Sequence, residues 1–244
     1  MQVIQKFMNN PLRNYNYIIY SDITKEAIFI DPLDLSQTLP LCKDKNLKPK
    51  YLINTHFHHD HIKDNGAFLN LPDTERVELK DQEVFYLSKE ESLKTIDTPG
   101  HVEEHKCFIL KDERGEFGII SGDAVFNAGV GNCKNGGDVE THFKTINFLS
   151  TELSGHLNLY PSHDFLLKNL EFAKTIEPDN QKILSLIEKR KSQDLDHEFI
   201  NTTIAQEREI NPFFRLEHLQ KRQEYKSYSI REIFFDIRKK RDHF

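Results

Sequence analysis

The 244-residue chain has only three cysteines, Cys42, Cys107 and Cys133, scattered and odd in number. That excludes a disulfide framework and fits a reducing compartment. No apolar run approaches the roughly 18 residues of a membrane helix. The opening MQVIQKFMNN has no basic segment leading into an apolar one, so no secretory signal is expected. There is no G-x-S-x-G elbow and no sign of a covalent nucleophile. Gly129-Val130-Gly131 does not extend to a dinucleotide fingerprint, and no Walker A loop is present. Internal repeats and low-complexity segments are also missing. These absences predict a soluble, cytoplasmic protein without a membrane partner.

What is present is polar but able to fold. Mean hydropathy is -0.62, yet 18 Phe and 8 Tyr supply large apolar side chains for a core. A chain this rich in aromatics is not disordered throughout. Its length allows one large domain, or one domain with a smaller lobe. The net charge of -6 is uneven: Arg215 to Phe244 carries nine Lys/Arg against five Asp/Glu, and the rest is strongly acidic. The ordinary meaning of such a run is a solvated helical face; the sharper one is a basic end that meets an anion. Nucleic acid would need a wider basic surface and the opposite overall sign, so no nucleic-acid partner is expected.

Short β-branched or aromatic runs dominate the first half: Tyr15 to Tyr20, Ala27 to Ile30, Tyr51 to Ile53, Cys107 to Leu110 and Phe117 to Ile120. The last two flank a hairpin turn at Asp112 to Gly115, and Gly129 to Gly137 reads as a loop. From Phe165 onward apolar residues recur at helical spacing, with breaks at Pro178 and Asn211-Pro212 and a last helix around Ile230 to Ile237. Strands with interspersed helices followed by helices alone predict an α/β domain and then a helical lobe.

The chemistry concentrates in Thr55-His56-Phe57-His58-His59-Asp60-His61. In an extended chain positions i and i+2 point the same way, so His56 and His58 reach one ion. Asp60 and His61 follow where the strand must turn, and they can face a second. Imidazole with carboxylate suits Zn, Fe or Mn. Further candidates end other apolar runs: His101 in Thr98-Pro99-Gly100-His101, Asp123 in Ser121-Gly122-Asp123, and His163 in Ser162-His163-Asp164. Strand ends are where α/β folds place their sites.

In this order the motifs resemble the metallo-β-lactamase superfamily, and within it glyoxalase II, the hydroxyacylglutathione hydrolases. Asn14-Tyr15, Asp31-Pro32, Asn169 to Ala173, Asn211-Pro212-Phe213-Phe214-Arg215 and the closing Arg238 to Phe244 carry the narrower likeness. The resemblance implies an αββα sandwich over residues 1–165 and a helical substrate-binding domain over 166–244. It implies that His56, His58 and His101 hold one metal, that Asp60, His61 and His163 hold the other, and that Asp123 bridges them. His105 is expected to be structural, and His59 to lie beside the ligands. Two divalent ions are expected, zinc foremost, with iron or manganese as alternatives. The nucleophile is then a metal-bound water and no side chain.

The implied reaction is hydrolysis of a thioester, S-lactoylglutathione or a related S-2-hydroxyacylglutathione, to the hydroxy acid and thiol, as in methylglyoxal detoxification. A thiolate leaves readily, so no dedicated general acid is required. Arg238 and Arg241 match basic positions that hold the glycine carboxylate of glutathione in the family. Asn132 and Lys134 stand where the family places a loop Lys and Tyr, and Phe165 where it places a Tyr. These five form the expected substrate-binding set. A monomer acting on a small molecule is expected. Rival activities within the superfamily are a single-iron, persulfide dioxygenase-like reaction and a phosphodiesterase.

Overall fold

Apolar and β-branched runs become strands, and the structure, a computed structural model describing residues 1–244, assembles them into two sheets. The first holds β1 (Gln2–Phe7), β2 (Tyr15–Tyr20), β3 (Glu26–Ile30), β4 (Lys48–Ile53) and the short β5 (Glu75–Arg76), in that spatial order. β1, β2 and β3 pair antiparallel; β3, β4 and β5 pair parallel. α1 (Leu35–Asp44) makes the crossover that a parallel β3–β4 pair requires. Asp34 starts it as N-cap, its side chain accepting from the Ser36 N–H. Two short helices, α2 (His59–Ile62) and α3 (Asn65–Leu69), follow β4.

The second sheet is built from β6 (Val84–Tyr86), β7 (Ser92–Asp97), β8 (Lys106–Asp112) and β9 (Gly115–Gly122), an antiparallel meander. β10 (Val125–Phe126) and β11 (Gly129–Val130) form a small separate hairpin. α4 (Val139–Glu152) then returns the chain so that β12 (Asn158–Pro161) adds parallel to β9.

The alternation of side chains along each strand builds four layers. In β2, Tyr15, Tyr17 and Ile19 point into the space between the sheets, where they meet Phe108, Leu110 and Ile120 of the second sheet. Ile18 and Tyr20 point the other way, under Leu35 and Cys42 of α1 and Phe68 of α3. On the outer face of the second sheet, Ile109 and Ile119 pack against Ile146 and Leu149 of α4 and Phe234 of the last helix. This is the αββα sandwich.

The helical part comprises α5 (Leu166–Ile176), α6 (Gln181–Lys191), α7 (Ile204–Ile210), a 3₁₀ turn (Pro212–Phe214), α8 (Leu216–Gln220) and α9 (Ile230–His243). Capping boxes start α7 (Thr203 with Gln206) and α9 (Ser229 with Glu232). The apolar cluster that holds Ile109 and Ile119 of the sheet also holds Phe172, Phe213 and Phe234, so the helices share a core with the sandwich. The stretch read from sequence as the loop Gly129 to Gly137 begins with a strand, because Gly129 and Val130 pair with Val125 and Phe126. No helix is long and apolar enough to cross a membrane. The three cysteines are unpaired.

Candidate metal centre

The chain leaves β3, β4, β9 and β12 at one edge of the sandwich, and each exit delivers a functional side chain. Asp31 ends β3 in a left-handed conformation (φ 50°). Its Oδ1 accepts from the Thr55 N–H (2.8 Å), and its Oδ2 accepts from the Thr55 hydroxyl (2.6 Å) and His61 Nδ1 (2.9 Å). It therefore fixes the start of the histidine segment that follows β4. β9 ends at Gly122, whose φ of 52° is left-handed; a Cβ there would meet His105 Nε2 at 2.6 Å and Thr55 Cβ at 2.8 Å. Glycine lets Asp123 enter between those neighbours.

The tautomer of each imidazole follows from what its outer nitrogen meets. His163 Nδ1 faces the Leu12 carbonyl at 2.8 Å and His101 Nδ1 faces the Asn132 carbonyl at 2.6 Å. A carbonyl only accepts, so both Nδ1 atoms carry the proton. His61 Nδ1 donates to Asp31. The Thr55 hydroxyl gives its proton to Asp31, so His56 Nδ1, 3.0 Å away, donates to that oxygen. His58 is reversed: its Nε2 lies 3.1 Å from the Asn135 carbonyl, leaving Nδ1 bare. Five imidazoles thus turn their protons outward and five lone pairs inward.

Those lone pairs converge. His58 Nδ1 is 3.0 Å from His56 Nε2 and 3.1 Å from His101 Nε2. Asp60, His61 and His163 form a second set whose ligand atoms also lie within 4.8 Å of one another. Asp123 stands between the sets. Its Oδ2 is 3.5 Å from His101 Nε2, while its Oδ1 is 3.3 Å from His163 Nε2 and 3.5 Å from His61 Nε2. His61 Nε2 and Asp123 Oδ1 are buried without a hydrogen-bond partner. Bare lone pairs at 3 Å repel, and buried polar atoms without partners are costly. A cation in each set relieves both, and this donor chemistry fits divalent metal ions. A third grouping, Asp31 with His56 and His61, is different, because Asp31 is already filled by Thr55 and His61.

The electrostatics carry the same demand for positive charge. Burial opposes charging of His61, but Asp123, Asp31 and Asp60 outweigh it and hold the imidazole up at about 9. Burial also opposes ionisation of Asp123, yet the His163 and His61 rings keep its carboxyl well below the usual range. Burial pushes His56 down, and His61 adds to that. His105 is fully buried: its Nε2 accepts the Asp123 N–H (3.1 Å) and its Nδ1 meets the Thr98 hydroxyl (2.7 Å). It steadies the Asp123 backbone.

Both parts of the chain match known families. Residues 13–95 match the metallo-beta-lactamase superfamily, and residues 164–244 match the hydroxyacylglutathione hydrolase C-terminus. A hydroxyacylglutathione hydrolase of Nitrosococcus oceani is 34% identical over 232 residues, covering 89% of this chain and 87% of that protein. The chain belongs to the hydroxyacylglutathione hydrolase family. A relative named cytoplasmic hydroxyacylglutathione hydrolase, from Arabidopsis thaliana, is 28% identical over 94% of each chain. The fold is shared more widely: ETHE1 from Myxococcus xanthus superposes with a TM-score of 0.70 at 19% identity, over 98% of this chain and 90% of that one.

The five residues expected from sequence to bind substrate are placed less uniformly. Phe165 stacks on the His163 ring, centroids 4.9 Å apart and planes 5° from parallel. Asn132 uses its backbone carbonyl on His101, and its side chain accepts the Lys134 N–H. Lys134 is exposed, and its Nζ reaches the Asp242 carbonyl at 3.3 Å. Arg238 is only 4% exposed. It donates to the carbonyls of Val130 (3.3 Å) and Gly131 (2.9 Å) and to Asp242 (2.8 Å). Arg241 is half-buried and donates to Asn169 Oδ1 (3.1 Å). The shared helical face is there, but the two guanidinium groups meet different neighbours.

Sequence reasoning assigned no role to Thr55, Asn14, Asn169 or Glu207, and none to Asp31 beyond its motif. Asn14 Nδ2 donates to Asp60 Oδ2 (2.9 Å), and Glu207 lies wholly buried among polar partners. The available signal was the position of Asp31 and Asn14 at strand borders, as with the ligands themselves.

Proposed function

We propose that this chain hydrolyses S-2-hydroxyacylglutathione thioesters, S-lactoylglutathione among them, to the hydroxy acid and thiol. Two divalent ions, zinc foremost, would be held by His56, His58 and His101 on one side and by Asp60, His61 and His163 on the other, with Asp123 shared. The observation that carries this reading is that five outward-protonated imidazoles fall into two ligand sets, with Asp123 Oδ2 beside His101 of one set and its Oδ1 beside His61 and His163 of the other. Family membership supplies the substrate class. When bound, such ions polarise a carbonyl and acidify water near neutral pH.

The chain's own residues do the rest. Asp31, Asn132 and Leu12 hold His61, His101 and His163 in the tautomer that presents Nε2 inward. Asn14 holds Asp60. Phe165 covers the His163 ring and walls the site on that side. Water adds to the acyl carbon, the C–S bond breaks, and the sulfur leaves as thiolate without needing a proton from a side chain. We divide the chain into a catalytic part, 1–165, and a helical substrate-binding part, 166–244, with Asn132, Lys134, Phe165, Arg238 and Arg241 on the substrate side. A monomer in the cytoplasm completes the reading; the cytoplasmic Arabidopsis relative and the unpaired cysteines support the compartment.

The test is metal content per chain together with thiol release from S-lactoylglutathione. Two ions per chain with hydrolysis are expected. One iron with oxygen uptake would replace this reading with a dioxygenase.

A further inference from the structure

Between the sandwich and the helical lobe runs a buried strap, Asn127 to Asn132, whose polar backbone groups are taken by side chains of the lobe. Glu207 accepts the Ala128 N–H with both oxygens (2.9 and 3.1 Å). Ala128 sits at φ 57°, a conformation that a non-glycine residue keeps only when its surroundings hold it. Asn211 donates to the Gly129 carbonyl (3.0 Å) and to Glu207 (2.9 Å). Asn169 donates to the Asn127 carbonyl (3.0 Å), and Arg238 to those of Val130 and Gly131. The strap ends at the Asn132 carbonyl, which receives the His101 Nδ1 proton.

The strap has no slack at its inner end. A Cβ on Gly131 would lie 2.0 Å from the Asp123 carbonyl oxygen and 3.0 Å from His101 Nδ1. A shift of the strap is therefore a shift of His101. Glu207 is the piece with no substitute. Thr202 accepts from Asn127 Nδ2 (2.8 Å), so its hydroxyl proton goes to Glu207. Three donors, from Ala128, Thr202 and Asn211, meet two oxygens that only accept while the carboxyl is ionised. Glutamine has one acceptor oxygen and would turn an NH₂ against a donor.

We infer that Glu207 is a positioning residue for His101, holding from the helical lobe the strap whose last carbonyl orients that imidazole. The inference rests on the proposed ligand role of His101. Its test is Glu207→Gln in the full chain, read two ways. The first readout is the His101 Nδ1–H proton resonance, assigned by its loss in His101→Asn. The second is metal affinity by competition with a chelator. The resonance should shift or broaden, and affinity should fall roughly tenfold to a hundredfold, the range for removing a group that orients a metal ligand. Ile18→Ala, buried in the far sheet, serves as the control for lost stability and should leave both readouts as in the parent chain. If Glu207→Gln does not fold, Thr202→Val removes one donor from the same carboxylate and carries the same two readouts. An unmoved resonance with unchanged affinity in the folded variant overturns the inference, and so does an equal effect of Ile18→Ala. A parent chain that binds no metal would instead overturn the ligand reading, and the resonance would still judge the strap.

Discussion

The histidine cluster and the basic end of α9 are both rich in charge-bearing groups near one edge of the sandwich, and they are finished in opposite ways. In the cluster the protein satisfies the outer nitrogen of every imidazole and leaves the inner atoms bare; His61 Nε2 and Asp123 Oδ1 have no hydrogen-bond partner. In α9 the protein binds its own cation: both terminal nitrogens of Arg238 are engaged by backbone carbonyls and Asp242, and only its Nε is left without a partner. Groups left unsatisfied by the chain are those available to a ligand. A basic residue buried against carbonyls performs structural work whatever else it touches.

The strongest challenge to this contrast is Asp123→Ala. It removes the one carboxylate facing both ligand sets, so metal content and turnover should fall together. We expect a loss of kcat/KM of roughly a thousandfold, about 4 kcal/mol in the barrier. Elemental analysis and initial rates decide it; two retained metals with near-normal turnover would end the bridging assignment.

Next in size is a pH effect on stability from Glu207. Burial raises its carboxyl from 4.5 to about 7, and the hydrogen bonds from Thr202, Asn211 and Ala128 only partly oppose that; no charged neighbour acts on it. The folded state thus holds the proton more tightly than the unfolded one. Stability from this group is full below about 4.5 and is lost as pH rises to about 7. The span corresponds to about 3 kcal/mol. Urea denaturation at pH 4.5 and 7.5 should show this slope in the parent chain and not in Glu207→Gln. Parallel slopes would mean that the carboxyl titrates normally.

Arg238 and Arg241 separate the two kinds of work on one helix. Arg238→Ala leaves the Val130 and Gly131 carbonyls and Asp242 without their donor, so it should cost about 2–3 kcal/mol of stability. Arg241→Ala, half-exposed, should keep its melting temperature within a few degrees and raise KM for the anionic thioester. Thermal melts and steady-state kinetics on both variants check this. A stable Arg238→Ala with KM raised tenfold or more would show that Arg238 serves the substrate and not the fold.

The smallest effect is at Phe165. Phe165→Tyr adds one hydroxyl beside His163, and with glutathione as carrier KM should fall by roughly two- to tenfold, the worth of one neutral hydrogen bond. Unchanged KM, or faster turnover of another thiol's ester, would point to a different carrier.

Legibility followed the distance over which each signal acts. The strands Tyr15 to Tyr20 and Phe117 to Ile120 were readable because burial on one or both faces is written in adjacent residues. α4 was not singled out: Thr141, Thr145, Asn147, Ser150 and Thr151 dilute its helical pattern, and packing of Ile146 and Leu149 decides it. The H-x-H-x-D-H segment was legible as a ligand set because its spacing is local. That Asp123 aims one oxygen at each set was not, since it depends on how β9 is positioned beside β4 and β12.

By itself, then, the sequence determined the residue types that can hold a metal, the strand ends that carry them, and the change from strands to helices near Phe165. Only the tertiary structure decided which nitrogen of each histidine faces inward, because the tautomers depend on groups far away in the chain: Asp31 for His61 and, through the Thr55 hydroxyl, for His56, Asn132 for His101, Asn135 for His58, Leu12 for His163. It likewise decided that Arg238 turns inward while Lys134 stays in solvent. A side chain's charge is a property of its residue, but whether that charge is free depends on which backbone carbonyls the fold brings within 3 Å of it, and no local pattern encodes that.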